Sequence, residues 1–326
     1  MKNVSILVPE ASVMQAIADP QYLFSAANNF LSASGKKTAF NIQLVGAKKE
    51  VKLNDGIYTV HTDKLIHDSG KTDIVIIPAL FGDMQTAIVK NKSLISWIRY
   101  QYEKGAELAS LCVGAFLLAS TGLLNGKKCS THWGFQNEFR RMFPEVEVVD
   151  GSIITEENRI YSSGGASSYW NLLLHLVEKY TDRQTAILAS KYFAIDIDRH
   201  SQAAFAMFKG QKEHNDPVIR RAQEYIEKNV HDKLTVDELA DGAAVGRRSF
   251  ERRFKQATKN TVLEYIHRVK IEAAKRSFES SRKNIMEVMF DVGYTDTKSF
   301  RTIFKKITGL TPVAYRNKYN KMNASA

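Results

Sequence analysis

The C-terminal third of the chain contains the same helical segment twice. The first copy begins at residue 250 and reads FERRFKQATKNTVLEY, and the second begins at residue 300 and reads FRTIFKKITGLTPVAY. Each copy has two Phe residues four positions apart, which places both side chains on one face of a helix. A duplicated helix with a duplicated apolar face predicts two equivalent helical units. The six identical pairs are Phe250 with Phe300, Phe254 with Phe304, Lys255 with Lys305, Thr258 with Thr308, Thr261 with Thr311 and Tyr265 with Tyr315.

A shorter helical pattern and a glycine-containing break precede each copy. In the first unit Thr235 is a candidate N-cap and the break runs from Gly242 to Gly246, and in the second the break runs from Gly293 to Asp296. Two short helices joined by a tight turn form a helix-turn-helix. The pattern between the copies, TVLEYIHRVKIEAAKRSFES, predicts a long helix that holds the units at a fixed separation. A helical bundle with charged outer faces is the alternative, and it explains the Phe residues equally well.

Positive charge is concentrated around this repeat. Residues 211–326 contain 24 Lys and Arg against 15 Asp and Glu, a net charge of +9, whereas residues 1–210 carry only +2. An excess of this size favours a polyanionic partner, although a basic face is also an ordinary solvated surface. Helix-turn-helix units with cationic second helices favour double-stranded DNA as that partner, because such helices enter the major groove.

The N-terminal part has a different pattern. In residues 1–190 short apolar runs such as VSILV, FNIQLVG and DIVIIPA alternate with longer helical patterns such as LISWIRYQYEKG and YWNLLLHLVEKY. This alternation predicts an α/β fold with a doubly wound parallel sheet. Beyond residue 215 the strand patterns stop, and Asp216 followed by Pro217 is typical of a helix start. We therefore predict an α/β domain over 1–190, a connector over 191–215 and an all-α domain with two helix-turn-helix units over 216–320.

Residues 216–319 resemble the DNA-binding domain of AraC-type transcription regulators, most clearly in the segment VGYTDTKSFRTIFKKITGLTPVAYR. The resemblance implies that the second helix of each unit reads bases, since arginine can bond guanine bidentately and glutamate can accept from cytosine. Other basic residues, among them Arg253, Lys270, Lys305 and Lys306, are expected to meet phosphate or water. By this resemblance the DNA-binding residues are Arg247, Arg248, Glu251, Arg252, Thr297, Lys298, Arg301 and Thr302.

Cys112 stands between an apolar strand pattern and a helical pattern that begins at Gly114. A nucleophile in a strand-turn-helix context is held exposed in an elbow, and a helix N-terminus lowers the pKa of a thiol. We therefore expect Cys112 to alkylate faster than Cys129. A small buried cysteine that closes the sheet is the alternative.

Two segments, LASLCVGAFLLASTGLLNGKKCSTHW and YSSGGASSYWNLLLHLVEKYTDR, are similar to the class I glutamine amidotransferase-like (ThiJ/PfpI) domain found in front of AraC-type helices. This similarity implies a flavodoxin-like fold with Cys112 in the elbow and a small-molecule pocket beside it. Catalytic relatives place proton-handling groups where this chain has Val113 and Gln15, so the usual acid and base of such a site are missing. The ligand-pocket candidates are Glu10, Ala79, Leu80, Cys112, Val113, His132, Ser163 and Gly164.

Together with the patterns, these two resemblances imply a sequence-specific DNA-binding transcription regulator whose first domain senses a small-molecule effector or forms a homodimer. An enzyme of the ThiJ/PfpI type, with Cys112 as nucleophile and His132 nearby, is the alternative, and an assembly module without a pocket is a third interpretation. No catalytic residue, cofactor or metal site is expected. Two cysteines predict no disulfide framework, and the longest apolar stretch is too short to span a bilayer, so a cytoplasmic location without membrane contact is expected.

Overall fold

The computed structural model describes residues 1–197, 199 and 201–320 and divides into two compact units, Met1–Gln202 and Ala203–Ala326. The predicted connector is shared between them, since the first unit ends and the second begins within it. Asp198 and His200, in the predicted joint DRHSQAAF, lie outside the described residues. Within the described part of the chain, no helix is both long and apolar enough to cross a membrane.

The first unit is built on a seven-stranded sheet. Its order is β10-β11-β7-β6-β1-β2-β5, and all neighbours are parallel except β10 and β11. A β3–β4 hairpin and a short β8–β9 pair lie outside this sheet. The predicted α/β class with a parallel sheet is confirmed. The strands are β1 Lys2–Leu7, β2 Phe40–Gly46, β3 Glu50–Leu53, β4 Tyr58–His61, β5 Lys64–Leu65, β6 Ile74–Ile77, β7 Glu107–Ser110, β8 Lys128–Cys129, β9 Glu147–Val148, β10 Ile154–Glu157 and β11 Ile160–Ser163.

The apolar patterns explain how the first unit is layered. Strand β6 is the unbroken run Ile74–Ile77, which is fully buried between β1 and β7 because a central strand is covered on both faces. The two predicted helical patterns form α3 and α6. The helices of this unit are α1 Met14–Ala33, α2 Met84–Lys90, α3 Lys92–Glu103, α4 Ala115–Ala119, α5 Gln136–Met142, α6 Tyr169–Tyr180 and α7 Arg183–Tyr192.

The second unit is helical and contains two hydrophobic cores. One core gathers around Phe250 and Phe254, the other around Phe300 and Phe304, and all four rings are fully buried. The long helix α11 contributes side chains to both cores, as the pattern between the copies predicts. The helices are α8 Pro217–Lys228, α9 Val236–Gly242, α10 Arg247–Thr258, α11 Val262–Ser280, α12 Ile285–Asp291, α13 Thr297–Thr308 and α14 Pro312–Tyr319.

Polar residues determine where most helices of the second unit begin. Thr235, Thr261 and Asn284 each form a capping box, in which the cap side chain accepts from the backbone of a Glu three residues later and that Glu accepts from the cap backbone. Asp296 accepts from Ser299 N at the start of α13, whereas Gly246 supplies no side-chain cap to α10. The first copy therefore starts its second helix with one hydrogen bond fewer.

Candidate DNA-binding surface and cysteine elbow

Helices α10 and α13 present equivalent outer faces. In each, the buried Phe pair turns one side of the cylinder inward, so the two residues that follow the first Phe, Glu251 and Arg252 on α10 and Arg301 and Thr302 on α13, are exposed. Thr297 is half-buried and donates to Met286 Sδ at 3.7 Å. The remaining predicted DNA-binding residues are exposed: Arg247, Arg248, Glu251, Arg252, Lys298, Arg301 and Thr302.

Arg247 differs from the other exposed cations because it already has acidic partners. Its Nη1 donates to Asp237 Oδ1 at 3.0 Å and Oδ2 at 2.8 Å, and its Nε lies 3.8 Å from Glu251 Oε1. Asp237 lies in the first turn of α9, so the pair ties α9 to the first turn of α10. Of the predicted DNA-binding residues, Arg247 is therefore the one already engaged in a short ion pair within the unit.

Two basic residues that were expected to meet phosphate or water have structural partners instead. Arg253 donates through Nε and Nη2 to the two carboxylate oxygens of Asp216, at 2.8 and 2.7 Å, and this bond holds the pKa of Asp216 below its usual value. Asp216 is the N-cap of α8, so the ion pair connects α8 to α10. Lys270 is buried, and its acceptors among the described residues are backbone carbonyl oxygens. The expectation for Lys270 is wrong, because the side chain is buried. The side chain of Arg253 keeps 31% of its surface exposed, although its guanidinium group is already paired with Asp216.

The elbow at Cys112 has the strained backbone that its position predicts. Cys112 follows β7 with φ +56°, a left-handed conformation that is costly for a residue with a Cβ, and opens a short 3₁₀ turn, Cys112–Gly114, that leads into α4. Gly114 permits the turn to pack tightly, since a Cβ there would lie 2.5 Å from the carbonyl oxygen of Ile77 and 2.6 Å from that of Pro78. The elbow is thus pressed against the end of β6.

The thiol of Cys112 is not the reactive group that the sequence predicts. Cys112 is 5% exposed, and burial raises its thiol pKa to about 12, with the Val113 N–H bond only partly opposing the rise. Burial raises the pKa of Cys129 to about 12 as well. The expectation of a lowered pKa is wrong because the three-residue turn provides little helix dipole, whereas the apolar surroundings strongly disfavour the thiolate.

Hydrogen bonds around the elbow hold its backbone rather than its sulfur. Cys112 N–H donates to Ser163 Oγ at 3.3 Å, and Thr131 Oγ1 donates to the Cys112 carbonyl oxygen at 3.1 Å. His132 Nδ1 accepts from Gly134 N–H at 3.0 Å, and burial lowers the pKa of that ring. Within residues 1–197, 199 and 201–320 no hydrogen bond links the thiol to a histidine or carboxylate, and no group of acidic, histidine and cysteine residues could hold a metal ion.

The other predicted ligand-pocket residues differ in whether the structure connects them to Cys112. Ala79 and Leu80 are buried in the loop after β6, where Val13 N–H donates to the Ala79 carbonyl oxygen at 2.8 Å. Glu10 is half-buried and forms a 2.6 Å ion pair with Lys48. The structure therefore brings Ser163 and the loop that carries His132 to Cys112, but gives Glu10 a partner of its own.

Sequence reasoning missed Tyr169 as a neighbour of the elbow. Its hydroxyl donates to Asp19 Oδ2 at 2.6 Å, and its pKa is raised first by burial, then by Asp19 and to a smaller extent by the charge of the nearby Cys112. Tyr169 opens α6 directly after the segment SSGGASS, and that glycine-rich stretch is the available sequence signal. The Tyr169–Asp19 pair therefore adds polar groups to the otherwise apolar surroundings of the Cys112 thiol.

Gln202, also missed, fastens the loop beside the elbow. It is 1% exposed, its Nε2 donates to the carbonyl oxygens of Thr131 and Ser152 at 3.0 Å each, and its Oε1 accepts from Trp133 N–H at 3.2 Å. Gly164 makes room for this side chain, because a Cβ there would lie 1.9 Å from Gln202 Nε2. The predicted pocket residue Gly164 thus serves the packing of Gln202.

Comparison with known proteins connects these two units to two families. The family model described as a helix-turn-helix domain matches residues 239–318, and that of the DJ-1/PfpI family matches residues 22–179. The HTH-type transcriptional regulator GbdR of Pseudomonas aeruginosa is 25% identical over 81% of this chain and 71% of its own. ArgR, an HTH-type transcriptional regulator of the same species, is 26% identical over 65% of each chain. An AraC family transcriptional regulator from Pseudomonas putida has a crystal structure that covers 59% of this chain and 100% of its own, with 17% identity and a TM-score of 0.50, a likeness of fold alone.

Proposed function

We propose that this chain, which joins a DJ-1/PfpI-family domain to an AraC-type helix-turn-helix domain, is a sequence-specific DNA-binding transcription regulator whose first domain responds to a small molecule. The observation that carries the proposal is the duplicated orientation of α10 and α13. In both helices a buried Phe pair directs a row of cationic and polar side chains outward. Helices of this kind read base edges in the major groove with such a row.

Within each helix the exposed arginines are the proposed base readers. Arg252 on α10 and Arg301 on α13 are both exposed, and a bidentate arginine–guanine contact discriminates against a wrong base by about 1–3 kcal/mol. Arg247 is proposed to contribute less to base reading than its neighbours, since DNA would have to compete with Asp237 for its guanidinium group. Lys305 and Lys306, also exposed on α13, are proposed phosphate contacts.

The test measures binding of the full-length protein to the DNA upstream of its own gene and to a scrambled duplex of equal length, by fluorescence anisotropy over a series of salt concentrations. We expect affinity to fall with a slope of about −0.9 in log K per log salt for each phosphate neutralised. Arg252→Ala and Arg301→Ala should reduce the preference for the upstream DNA. Arg99→Ala removes an equal charge from an exposed position on α3 and is the matched control. Binding that ignores salt, or equal losses for all three variants, would contradict the proposal.

The first domain is proposed to bind its effector beside the elbow without converting it chemically. A thiol whose pKa is raised to about 12, and which has no hydrogen bond to a histidine or carboxylate within the described residues, is a poor nucleophile. The strained turn with Tyr169 and Asp19 nearby is the proposed binding site. Thermal-shift measurements across a metabolite panel, on wild type and Cys112→Ser, test this. Ligand shifts that are identical in both proteins would remove Cys112 from the site, and a hydrolytic turnover lost in Cys112→Ser would favour an enzyme. A homodimer and a cytoplasmic location stay predictions.

A further inference from the structure

Lys270 lies between the two hydrophobic cores of the second unit. On α11 the residue before it, Val269, belongs to the core of the first helix-turn-helix, and the residue after it, Ile271, belongs to the core of the second. Lys270 itself is 5% exposed. A buried ammonium group is costly unless its protons find acceptors, so its partners show what holds it in place.

Those partners are carbonyl oxygens from both helix-turn-helix units. Lys270 Nζ donates to Asp232 at 2.8 Å, to Val292 at 2.9 Å and to Gly293 at 3.4 Å. Asp232 lies in the loop between α8 and α9, and Val292 and Gly293 lie in the turn between α12 and α13. The Lys270 side chain therefore joins the linking helix α11 to one loop from each helix-turn-helix.

Two further features bring the same loops together. The His231 ring bonds the carbonyl oxygen of Asp291, so a second side-chain contact crosses the junction. Gly293 has φ +69°, and a Cβ there would lie 2.4 Å from the His231 carbonyl oxygen and 2.5 Å from Lys270 Nζ. Glycine is thus required at this turn both for its backbone conformation and for the close approach of the first unit's loop.

We propose that Lys270 is a positioning residue that fixes the two recognition helices relative to each other, and so sets the spacing of the two DNA elements that the protein reads together. The inference rests on the proposed function. The loop containing Asp232 leads to Thr235, the N-cap of α9, and α9 packs against α10. The turn containing Gly293 leads to Asp296, the N-cap of α13. Lys270 acts on both recognition helices through the loops that precede them.

Loss of Lys270 is expected to weaken the simultaneous binding of both helix-turn-helix units to DNA, and not the binding of either one alone. When two binding modules are linked, the first contact raises the effective concentration of the second, and this gain depends on a geometry that matches the target. Removing the Lys270 ammonium group leaves the outer faces of α10 and α13 unchanged but loosens their separation. Affinity for a site with both elements should therefore fall, while affinity for a single element should not.

The test uses the full-length protein and a duplex obtained by in vitro selection with the wild type. Binding is measured on this composite duplex, on duplexes that retain one element, and on a series in which base pairs are added one at a time between the elements. The variant is Lys270→Met. Lys275→Met is the matched control: Lys275 is a second buried lysine of α11, 4% exposed, which bonds Ala206 O at 2.6 Å and Glu272 Oε2 at 2.8 Å and does not join the two helix-turn-helix units.

For Lys270→Met we expect a loss of about tenfold or more on the composite duplex, less than about twofold on single elements, and a broader tolerance of added base pairs. Lys270→Arg, which keeps cationic donors, should restore the wild-type spacing profile, and Lys275→Met should retain it. Equal losses on composite and single-element duplexes, or an unchanged spacing profile, would overturn the inference. Should Lys270→Met not fold, Lys270→Gln is tested instead, by comparing its loss of affinity on the composite duplex with its loss on single-element duplexes. A wild type that selects no sequence would instead refute the proposed function.

Discussion

Replacing Gly164 by alanine should eject the side chain of Gln202 from the first unit. The new Cβ would lie 1.9 Å from Gln202 Nε2 and 2.6 Å from its Cδ, far inside van der Waals contact, so the amide has to leave its site. It would then lose two donated hydrogen bonds, to Thr131 and Ser152, and one accepted from Trp133. The loop that carries His132 would lose its fastening to the end of the first unit.

The magnitude follows from those three bonds. At about 0.5–1.5 kcal/mol net for each, Gln202→Ala should lower the free energy of unfolding by about 3 kcal/mol. Gly164→Ala loses the same bonds and adds the strain of overpacking, so it should cost about 4 kcal/mol. In the double variant the amide is already gone, and the remaining close contact is the Thr131 carbonyl oxygen at 2.9 Å. We therefore expect about 4 kcal/mol for the double variant and not the sum of about 7.

The assay is urea unfolding of the full-length protein followed by tryptophan fluorescence. All three tryptophans, Trp97, Trp133 and Trp170, lie in the first unit, so the signal reports that unit alone. Gln136→Ala is the control, because Gln136 is also buried but its Nε2 has no hydrogen-bond partner among the described residues, and its loss should lower the free energy of unfolding far less. If the loss of unfolding free energy in the double variant equals the sum of the two single losses within about 0.5 kcal/mol, Gly164 and Gln202 do not share one site and the reasoning is refuted.

Three further outcomes are expected. Arg301→Ala should lose about 1–3 kcal/mol of binding on the selected sequence and little on scrambled DNA, whereas Lys306→Ala should weaken both alike and reduce the salt slope by about 0.9, as anisotropy titrations would reveal. Cys112 and Cys129 should both react slowly with a thiol reagent at mildly alkaline pH until urea unfolds the first unit, because burial raises both thiol pKa values to about 12; rapid labelling of the native protein would contradict this. Lys259→Gly should stabilise the second unit by up to about 1 kcal/mol in a thermal melt followed by helical circular dichroism, since Lys259 ends α10 at φ +58° where the second copy has a glycine; an unchanged or lower melting temperature would count against it.

Helices α10 and α13 could be predicted from the sequence because their signals are local. The Phe pairs at a spacing of four define the inward face, and Asp296 before Thr297 marks the start of α13. The unbroken run in β6 likewise predicts a central strand, since an apolar side chain at every position is typical of burial on both faces. Features that depend on neighbouring residues and on the periodicity of apolar positions could thus be predicted from the sequence.

Features that depend on distant parts of the chain were not. Nothing near Arg253 or Lys270 in the sequence distinguishes them from solvent-exposed cations; their roles come from Asp216 and Asp232, which lie 37 and 38 residues away. The pKa of Cys112 follows from how deeply the elbow packs against the end of β6, which no local motif specifies. The clamp by Gln202 is likewise invisible, because Thr131 and Ser152 are 71 and 50 residues away.

The capping boxes of the second unit have a consequence for the order in which the chain folds. Most of its helices begin with their own local hydrogen bonds, whereas the first unit must pair strands far apart in sequence, such as Leu108 with Ile160. Contacts between sequence neighbours form faster, because less chain has to be closed into a loop. On dilution from denaturant we therefore expect helical circular dichroism to recover before tryptophan fluorescence. Under the proposed function, a refolding chain would complete its DNA-binding unit before the unit proposed to sense the effector.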